Sequence, residues 1–231
     1  MNQTKNGLWN SLLLRSQVTS EDVCPPEMLF GYLIGPFGAL LASGIFTSQL
    51  QNYLTNVLKL DLGFLTTLQL LSTILIVAAN LVVGQLIERT RTLAGKARPW
   101  ILLSALTLSV ASVLMFIVPF ADRTARMVWI AIAYNAYYAV GFPIYNTANS
   151  TLVPVSTRNS KQRSTLASLT NIASLGVMGV GSMIFPTLVS MALKEDQHLW
   201  FVAMLGVAIF TALTILLQLS LIHISEPTRH L

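Results

Sequence analysis

The sequence predicts an all-α, polytopic membrane protein with six transmembrane helices, and three observations support this fold class. Hydrophobic residues make up 54% of the chain, charged residues only 10%, and the mean hydropathy is +0.66. Residues 62–87 and 99–121 contain no Asp, Glu, Lys or Arg, and such runs of about 20 residues or more are typical of membrane-spanning helices. Between them lies the densest cluster of charge, residues 88–98. Helices are expected because lipid requires each backbone group to be satisfied within its own segment.

Six spans are predicted, at roughly residues 29–54, 62–87, 99–121, 127–153, 165–193 and 199–219. They form a six-helix unit, residues 28–219, preceded by a polar leader at residues 1–27 that lacks the pattern of a signal peptide. The leader is expected to be cytoplasmic, because basic residues are retained on that side of a membrane. With this orientation the inner segments hold nine basic residues and the outer loops four: Lys5, Arg15, Arg89, Arg91, Lys96, Arg98, Arg158, Lys161 and Arg163 against Lys59, Arg123, Arg126 and Lys194.

The composition argues against several other classes of function. The net charge of +5 lies in short loops between spans, where it indicates orientation rather than nucleic-acid binding. The single cysteine, Cys24, gives no basis for a disulfide or a metal framework. The Gly-x-Gly-Ser turn at residues 179–182 lacks the following glycine of a membrane serine protease, and the three histidines are far apart in the sequence. We therefore predict no enzymatic activity, no metal and no cofactor.

Small residues and prolines within the spans predict a packed bundle with irregular helices. The first span carries Gly31, Gly35, Gly38 and Gly44, and the fifth carries Gly176, Gly179 and Gly181. Small residues let helices approach closely in lipid. Pro143 and Pro186 interrupt the fourth and fifth spans, either as structural kinks or as breaks that line a cavity.

Polar side chains recur at helical spacing on the first, second, fourth and fifth spans. Amides cost free energy in hydrocarbon, so they must face protein or water. One interpretation is hydrogen bonding between helices. The other is a wet cavity for a hydroxyl-rich solute such as a sugar, which amides and aromatic rings bind well. The candidate substrate-binding residues are Gln51, Asn52, Gln69, Asn80, Asn135, Tyr138, Tyr145, Asn146, Asn149 and Asn171.

The most specific motif lies at residues 84–102. Here Gly84 is followed by Glu88-Arg89 and then by Gly-Lys-Ala-Arg-Pro-Trp at residues 95–100. This stretch resembles the loop between helices two and three of the major facilitator superfamily. More narrowly, it resembles the glycoside–pentoside–hexuronide:cation symporter family, the melibiose permease-like group. Residues 32–57 and 152–166 are similar to the same family, so the resemblance covers about residues 28–218.

The resemblance implies a carrier of sugars or glycosides in a bacterial cell membrane, working by alternating access. It implies that the polar loop is a conformational latch, with the residues Gly84, Glu88, Arg89, Gly95, Lys96 and Arg98. The aspartates of the family fall here at Leu40, Ile76, Asn80 and Asn146, and its helix-five arginine at Asn171. A polar site is therefore expected, but the carboxylates that couple Na⁺ or H⁺ are not seen, and cation coupling stays open.

The resemblance also implies that this chain is the N-terminal half of a twelve-helix transporter, whose partners are a small sugar or glycoside, the lipid bilayer and a missing C-terminal half. Residues 220–231 resemble a translated sequencing adapter, so they are expected to be non-native. The alternatives are a genuine six-helix protein with a short tail, a lipid or drug carrier of the same superfamily, and a six-helix channel or sensor.

Overall fold

A computed structural model describes residues 23–92, 95–157, 159–193 and 196–222 of the chain. Within these residues the secondary structure is helical, and no strand is present. Six helices follow one another: α1 (Pro25–Val57), α2 (Leu62–Arg89), α3 (Arg98–Leu114), α4 (Arg123–Ser156), α5 (Ser160–Leu193) and α6 (Gln197–Leu221). The predicted all-α membrane fold is confirmed.

Five of the six helices are long and apolar enough to cross a membrane, and α3 is shorter. Its 17 residues span about 26 Å at 1.5 Å per residue, slightly less than the roughly 30 Å of a hydrocarbon core. The predicted third span was therefore too long at its end, since the helix stops at Leu114 rather than continuing to Ala121.

Two features account for the early end of α3. Pro119 disfavours a helical conformation in the residue before it. In addition, the indole Nε1 of Trp129 donates to the carbonyl oxygens of Leu114 at 3.1 Å and Ile117 at 2.6 Å. A helix end leaves carbonyl groups without partners inside the helix. The α4 side chain satisfies them, so the chain can turn here.

Helices α1, α3 and α6 each pack on two neighbours, whereas α2 packs mainly on α4. Helix α1 lies between α5 and α6, and α3 lies between α6 and α4. Helix α4 also contacts α2 and, less extensively, α5. Helices α2 and α5 are the most exposed of the five long spans, so most of their surface remains available to lipid or to another protein surface.

Glycines permit the closest approaches of α1 to its neighbours. A Cβ built on Gly44 would lie 2.6 Å from the carbonyl oxygen of Met178 in α5, and one built on Gly38 would lie 2.6 Å from the Cα of Thr211 in α6. Thr211 also donates its hydroxyl to the carbonyl oxygen of Gly38 at 3.0 Å. The predicted close packing is correct at these positions. It is wrong for Gly176 and Gly179, where an added Cβ would have no neighbour within 4 Å.

Proline and π-helical turns occur together in α4 and α5. In α4 the π-helical segment Ala136–Gly141 comes just before Pro143, which lies at the start of the regular helix Phe142–Ser156. In α5 Pro186 precedes the π-helical segment Val189–Leu193. Proline removes one helical hydrogen bond and crowds the preceding turn, and in α4 the wider turn just before Pro143 relieves that crowding. A π-turn also shifts the register of all later side chains.

Candidate functional site

The ten predicted substrate-binding residues divide into three groups by burial. Two are buried, Tyr145 and Asn149. Three are half-buried, Asn52, Asn135 and Tyr138. The other five are exposed on the surface of this six-helix unit: Gln51, Gln69, Asn80, Asn146 and Asn171.

On α2 the exposed amides flank the stripe that packs against the bundle. The buried residues Leu65, Leu68 and Ser72 recur at helical spacing toward α4. Gln69 and Asn80 lie beside that stripe and are exposed. The side-chain nitrogen of Asn80 donates to the carbonyl oxygen of Ile76 at 2.8 Å. This bond orients the amide and leaves its oxygen as an acceptor.

Helix α5 presents Asn171 away from its contact with α1. Ala173 and Val177 are buried in a small cluster with Leu40 of α1. Asn171 is exposed on another side of the helix, in line with the exposed Ser168 and with Leu175, which is 80% exposed. Because this side packs on none of the other helices that the structure describes, Asn171 is accessible to a solute or to a second protein surface.

The polar face predicted on α4 is divided in the structure. Asn146 is exposed, whereas Tyr145 and Asn149 point into the bundle. Regular helical spacing grouped these residues with Asn135 and Tyr138, but Asn135 precedes the π-helical segment Ala136–Gly141 and Tyr138 lies within it. The extra residue per turn rotates the later side chains relative to the earlier ones.

Tyr145 and Asn149 belong to a buried network with α6. The Nε2 atom of Gln218 donates to Oδ1 of Asn149 at 2.7 Å, and the hydroxyl of Tyr145 donates to Oε1 of Gln218 at 3.4 Å. Gln218 is fully buried. The network satisfies polar groups inside the bundle. In the sequence, Gln218 is the one amide of the predicted sixth span, which was not among the four spans with predicted polar faces.

The remaining predicted residues have local partners. The side-chain nitrogen of Asn135 donates to the carbonyl oxygen of Ala131 at 2.9 Å, and that of Asn52 donates to Oε1 of Gln49 at 3.2 Å. The ring of Tyr138 lies with its centroid 4.5 Å from that of Tyr134. These contacts order the helix surface without joining the residues into one pocket.

The loop between α2 and α3 contains most of the predicted latch residues. We call this end of the bundle, which also holds Lys161 and Arg163, the basic end. Glu88 and Arg89 are exposed in the last turn of α2, and Lys96 is half-buried. Gly95 has φ 85°, a left-handed conformation that glycine adopts without steric cost. Gly84 has open space around it, so a close approach of another helix would be accommodated there.

Arg98 lies inside the bundle instead of on the surface of this loop. Its side chain is 1% exposed, and its Nη2 donates to the carbonyl oxygen of Leu219 at 2.6 Å. Glu27, 3% exposed at the start of α1, acts on Arg98 electrostatically. Arg98 therefore connects the beginning of α1, the beginning of α3 and the end of α6. The latch role of Arg98 stays a prediction, and the structure places this residue in the interior of the bundle.

The carboxylates at the opposite end of the bundle cap helices. Asp61 accepts from the backbone nitrogen of Phe64 at 3.2 Å, and Asp122 accepts from that of Ala125 at 2.9 Å. Asp196 caps α6 in the same way. Such caps satisfy backbone donors that a helix start leaves without partners.

These features define a multi-pass membrane protein whose spans carry exposed amides on α1, α2, α4 and α5, as in one half of a transporter bundle. The family described as MFS/sugar transport protein matches residues 31–230, and the chain belongs to this family. The resemblance to sugar and glycoside cation symporters inferred from the loop motif is confirmed.

The chain is similar to several curated bacterial proteins. It is 26% identical over 201 residues to an isoprimeverose transporter of Lactiplantibacillus pentosus, which covers 84% of this chain and 41% of that protein. It is 26% identical over 164 residues to the inner membrane symporter YicJ of Escherichia coli, covering 70% of this chain and 35% of the relative. The putative glycoside/cation symporter YagG of the same species is 27% identical over 150 residues, 64% of this chain and 32% of the relative. The chain thus spans about two fifths or less of these relatives.

Proposed function

We propose that this chain forms the N-terminal half of a carrier that moves a sugar or glycoside across a bacterial cell membrane by alternating access. The observation that carries the proposal is the exposure of Asn80, Asn146 and Asn171 on three different helices. Exposed amides in apolar spans are costly in lipid, so they need a polar or wet partner surface. The family membership and the printed names of the relatives support a sugar or glycoside as the solute.

We propose that the partner surface is a second six-helix half. Carriers of this superfamily have two such halves, with the substrate between them near the middle of the membrane. The chain matches only 41% of the isoprimeverose transporter, which leaves room for a second unit of similar size. Reading the gene onward past codon 219 tests this proposal. Six further apolar spans in frame would support it, and a natural stop directly after Leu231 would contradict it.

In the full-length carrier, Asn146→Ala and Asn171→Ala are each expected to reduce uptake of the transported sugar by about tenfold or more. A polar group that loses its hydrogen-bond partner on the solute costs about 1–3 kcal/mol, and roughly 1.4 kcal/mol corresponds to a factor of ten. The measurement is initial uptake of radiolabelled glycosides at matched membrane abundance.

Gln197→Ala serves as the control for these variants, because it removes an exposed amide at the start of α6, outside the four polar helices. Its uptake is expected to equal that of the unchanged carrier. Normal uptake in both asparagine variants would show that Asn146 and Asn171 do not bind the substrate. Membership of the family would not be affected by that result.

We propose further that the basic end faces the cytoplasm, because basic residues gather on that side of a membrane. On that side, Glu88 and Arg89 would latch the two halves together. Both residues are exposed and available for charge-assisted hydrogen bonds to a second half. In the full-length carrier, Arg89→Ala is expected to shift the conformational balance more than the affinity for substrate.

The latch prediction is measured with a cysteine placed at Asn146 in a Cys24→Ser background, labelled by an impermeant thiol reagent from either side of the membrane. Loss of the latch is expected to change the ratio of the inside to the outside labelling rate about tenfold. This factor corresponds to a shift of roughly 1.4 kcal/mol in the free-energy difference between the two conformations. Arg91→Ala, at an exposed position two residues after the end of α2, is the control. An unchanged ratio in Arg89→Ala, together with a raised KM when Arg89→Ala is measured in the carrier that keeps Asn146, would argue for substrate contact instead.

A further inference from the structure

A groove of about 500 Å³ lies at the end of the bundle opposite the basic end. The loop from α1 to α2 and the start of α4 form it, and the basic side chains of Lys59, Arg123 and Arg126 line it together with Asp61. We propose that this groove binds an oxyanion, the phosphate or carboxylate group of a lipid headgroup or of a small soluble anion. The proposal concerns a site apart from the exposed amides and does not depend on the proposed function.

The charges around the groove favour an anion. Three basic side chains line the groove with one carboxylate, that of Asp61, which already accepts a hydrogen bond as the cap of α2. Helix α2 begins at Leu62 and α4 begins at Arg123, and both residues line the groove. The beginning of a helix carries a partial positive charge and attracts anions. When Asp122, the cap of α4, is counted as well, the three basic side chains still outnumber the two carboxylates.

Arg126 is held rigidly at the wall of the groove. Its Nη1 donates to the carbonyl oxygen of Leu58 at 3.1 Å, and its Nη2 donates to that of Ala121 at 3.3 Å. Its Nε is buried and has no hydrogen-bond partner in the described part of the chain. A buried donor without an acceptor is unfavourable. Each Nη also carries a second N–H, so the guanidinium that these two bonds hold in place can still donate to an anion in the groove.

The backbone at Lys59 is also unusual. Its φ of 54° is the only positive value outside glycine among the described residues. Residues with a Cβ adopt this left-handed conformation at a steric cost, and such positions cluster at binding sites. Together with the groove and its charges, this turn brings Lys59 to the lining.

Membrane orientation does not account for these three cations. The tendency of basic residues to gather on one side of a membrane explains the basic end, and it predicts few such residues at the other. Lys59, Arg123 and Arg126 lie at that other end and converge on one groove. Binding of an anion explains both their position and their convergence.

The test measures protection of Lys59 from acetylation by an amine-reactive reagent, quantified by mass spectrometry of the full 231-residue chain. Lys161, exposed at the basic end, is the control in the same sample. One arm adds inorganic phosphate or acetate to the chain in a neutral detergent. The other compares nanodiscs of phosphatidylglycerol with nanodiscs of phosphatidylcholine. Arg123→Gln, with its helicity checked by circular dichroism, is compared with the unchanged chain in both arms.

We expect the anion to protect Lys59 more than Lys161, and Arg123→Gln to weaken this protection about tenfold, as the loss of one charge-assisted hydrogen bond would. Protection by phosphate or acetate in detergent would identify a soluble anion, whereas protection confined to phosphatidylglycerol would identify a lipid headgroup. Equal protection of the two lysines, no protection of Lys59, or unchanged protection in Arg123→Gln would each overturn the proposal.

Discussion

Arg98→Ala is expected to destabilise the bundle by about 3–5 kcal/mol, the usual effect of removing one partner from a buried charge pair. The guanidinium is 1% exposed, donates to the carbonyl oxygen of Leu219 at 2.6 Å and lies in the field of Glu27, itself 3% exposed. Without it, the Leu219 carbonyl loses its donor and a buried carboxylate loses its positive counterpart. Both losses fall where α1, α3 and α6 meet.

Unfolding of the purified chain in mixed micelles, titrated with sodium dodecyl sulfate and followed by tryptophan fluorescence, measures this effect. Arg91→Ala is the matched control, because Arg91 is an exposed arginine of the same loop. Its change is expected to stay within about 0.5 kcal/mol, as for most surface substitutions. If the two alanine variants unfold at the same detergent fraction, the buried role of Arg98 is wrong.

Gly44→Ala is the second substitution with a large expected effect. The new Cβ would lie 2.6 Å from the carbonyl oxygen of Met178 and 3.2 Å from its Cα. These are backbone atoms, so no side chain can rotate away, and α1 and α5 must separate. Forcing an extra methyl group into a close-packed contact typically costs about 1–3 kcal/mol. The expected result is a lower unfolding midpoint in the same titration.

Gly179→Ala offers a matched control on α5, where an added Cβ meets nothing within 4 Å. Alanine is the better helix former by about 1 kcal/mol, so this variant is expected to be neutral or more stable. The opposite order of the two variants would show that α1 and α5 do not meet at Gly44.

Much of the fold was predictable because lipid imposes simple requirements. Charge-free apolar runs located all six helices, and the helix starts at Leu62 and Arg98 fall within one residue of the predicted ones. The end of α3 was not predictable from hydropathy, because residues 115–121 are as apolar as the helix itself. The helix ends where Trp129, 12 to 15 residues later in the chain, satisfies its carbonyl groups.

The candidate site was predictable in part. Helical spacing grouped Asn80 and Asn171 with polar neighbours, and the structure exposes both on regular helices, while their role in binding stays a prediction. It did not distinguish the exposed Asn146 from the buried Tyr145 and Asn149, because all three lie in the same regular helix after the π-helical segment, and Tyr145 and Asn149 bond to α6. Their partner, Gln218, lies 69 residues from Asn149 in the chain, beyond any local pattern.

The sequence by itself determined that this protein resides in a membrane, how many helices its described part contains and to which family it belongs. These properties depend on the lengths of apolar runs and on one loop motif, and both are local. Only the tertiary structure decided which polar side chains stay accessible and which form hydrogen bonds inside the bundle. That choice depends on which helices touch: the same kind of amide is exposed at Asn146 and buried at Asn149, against α6.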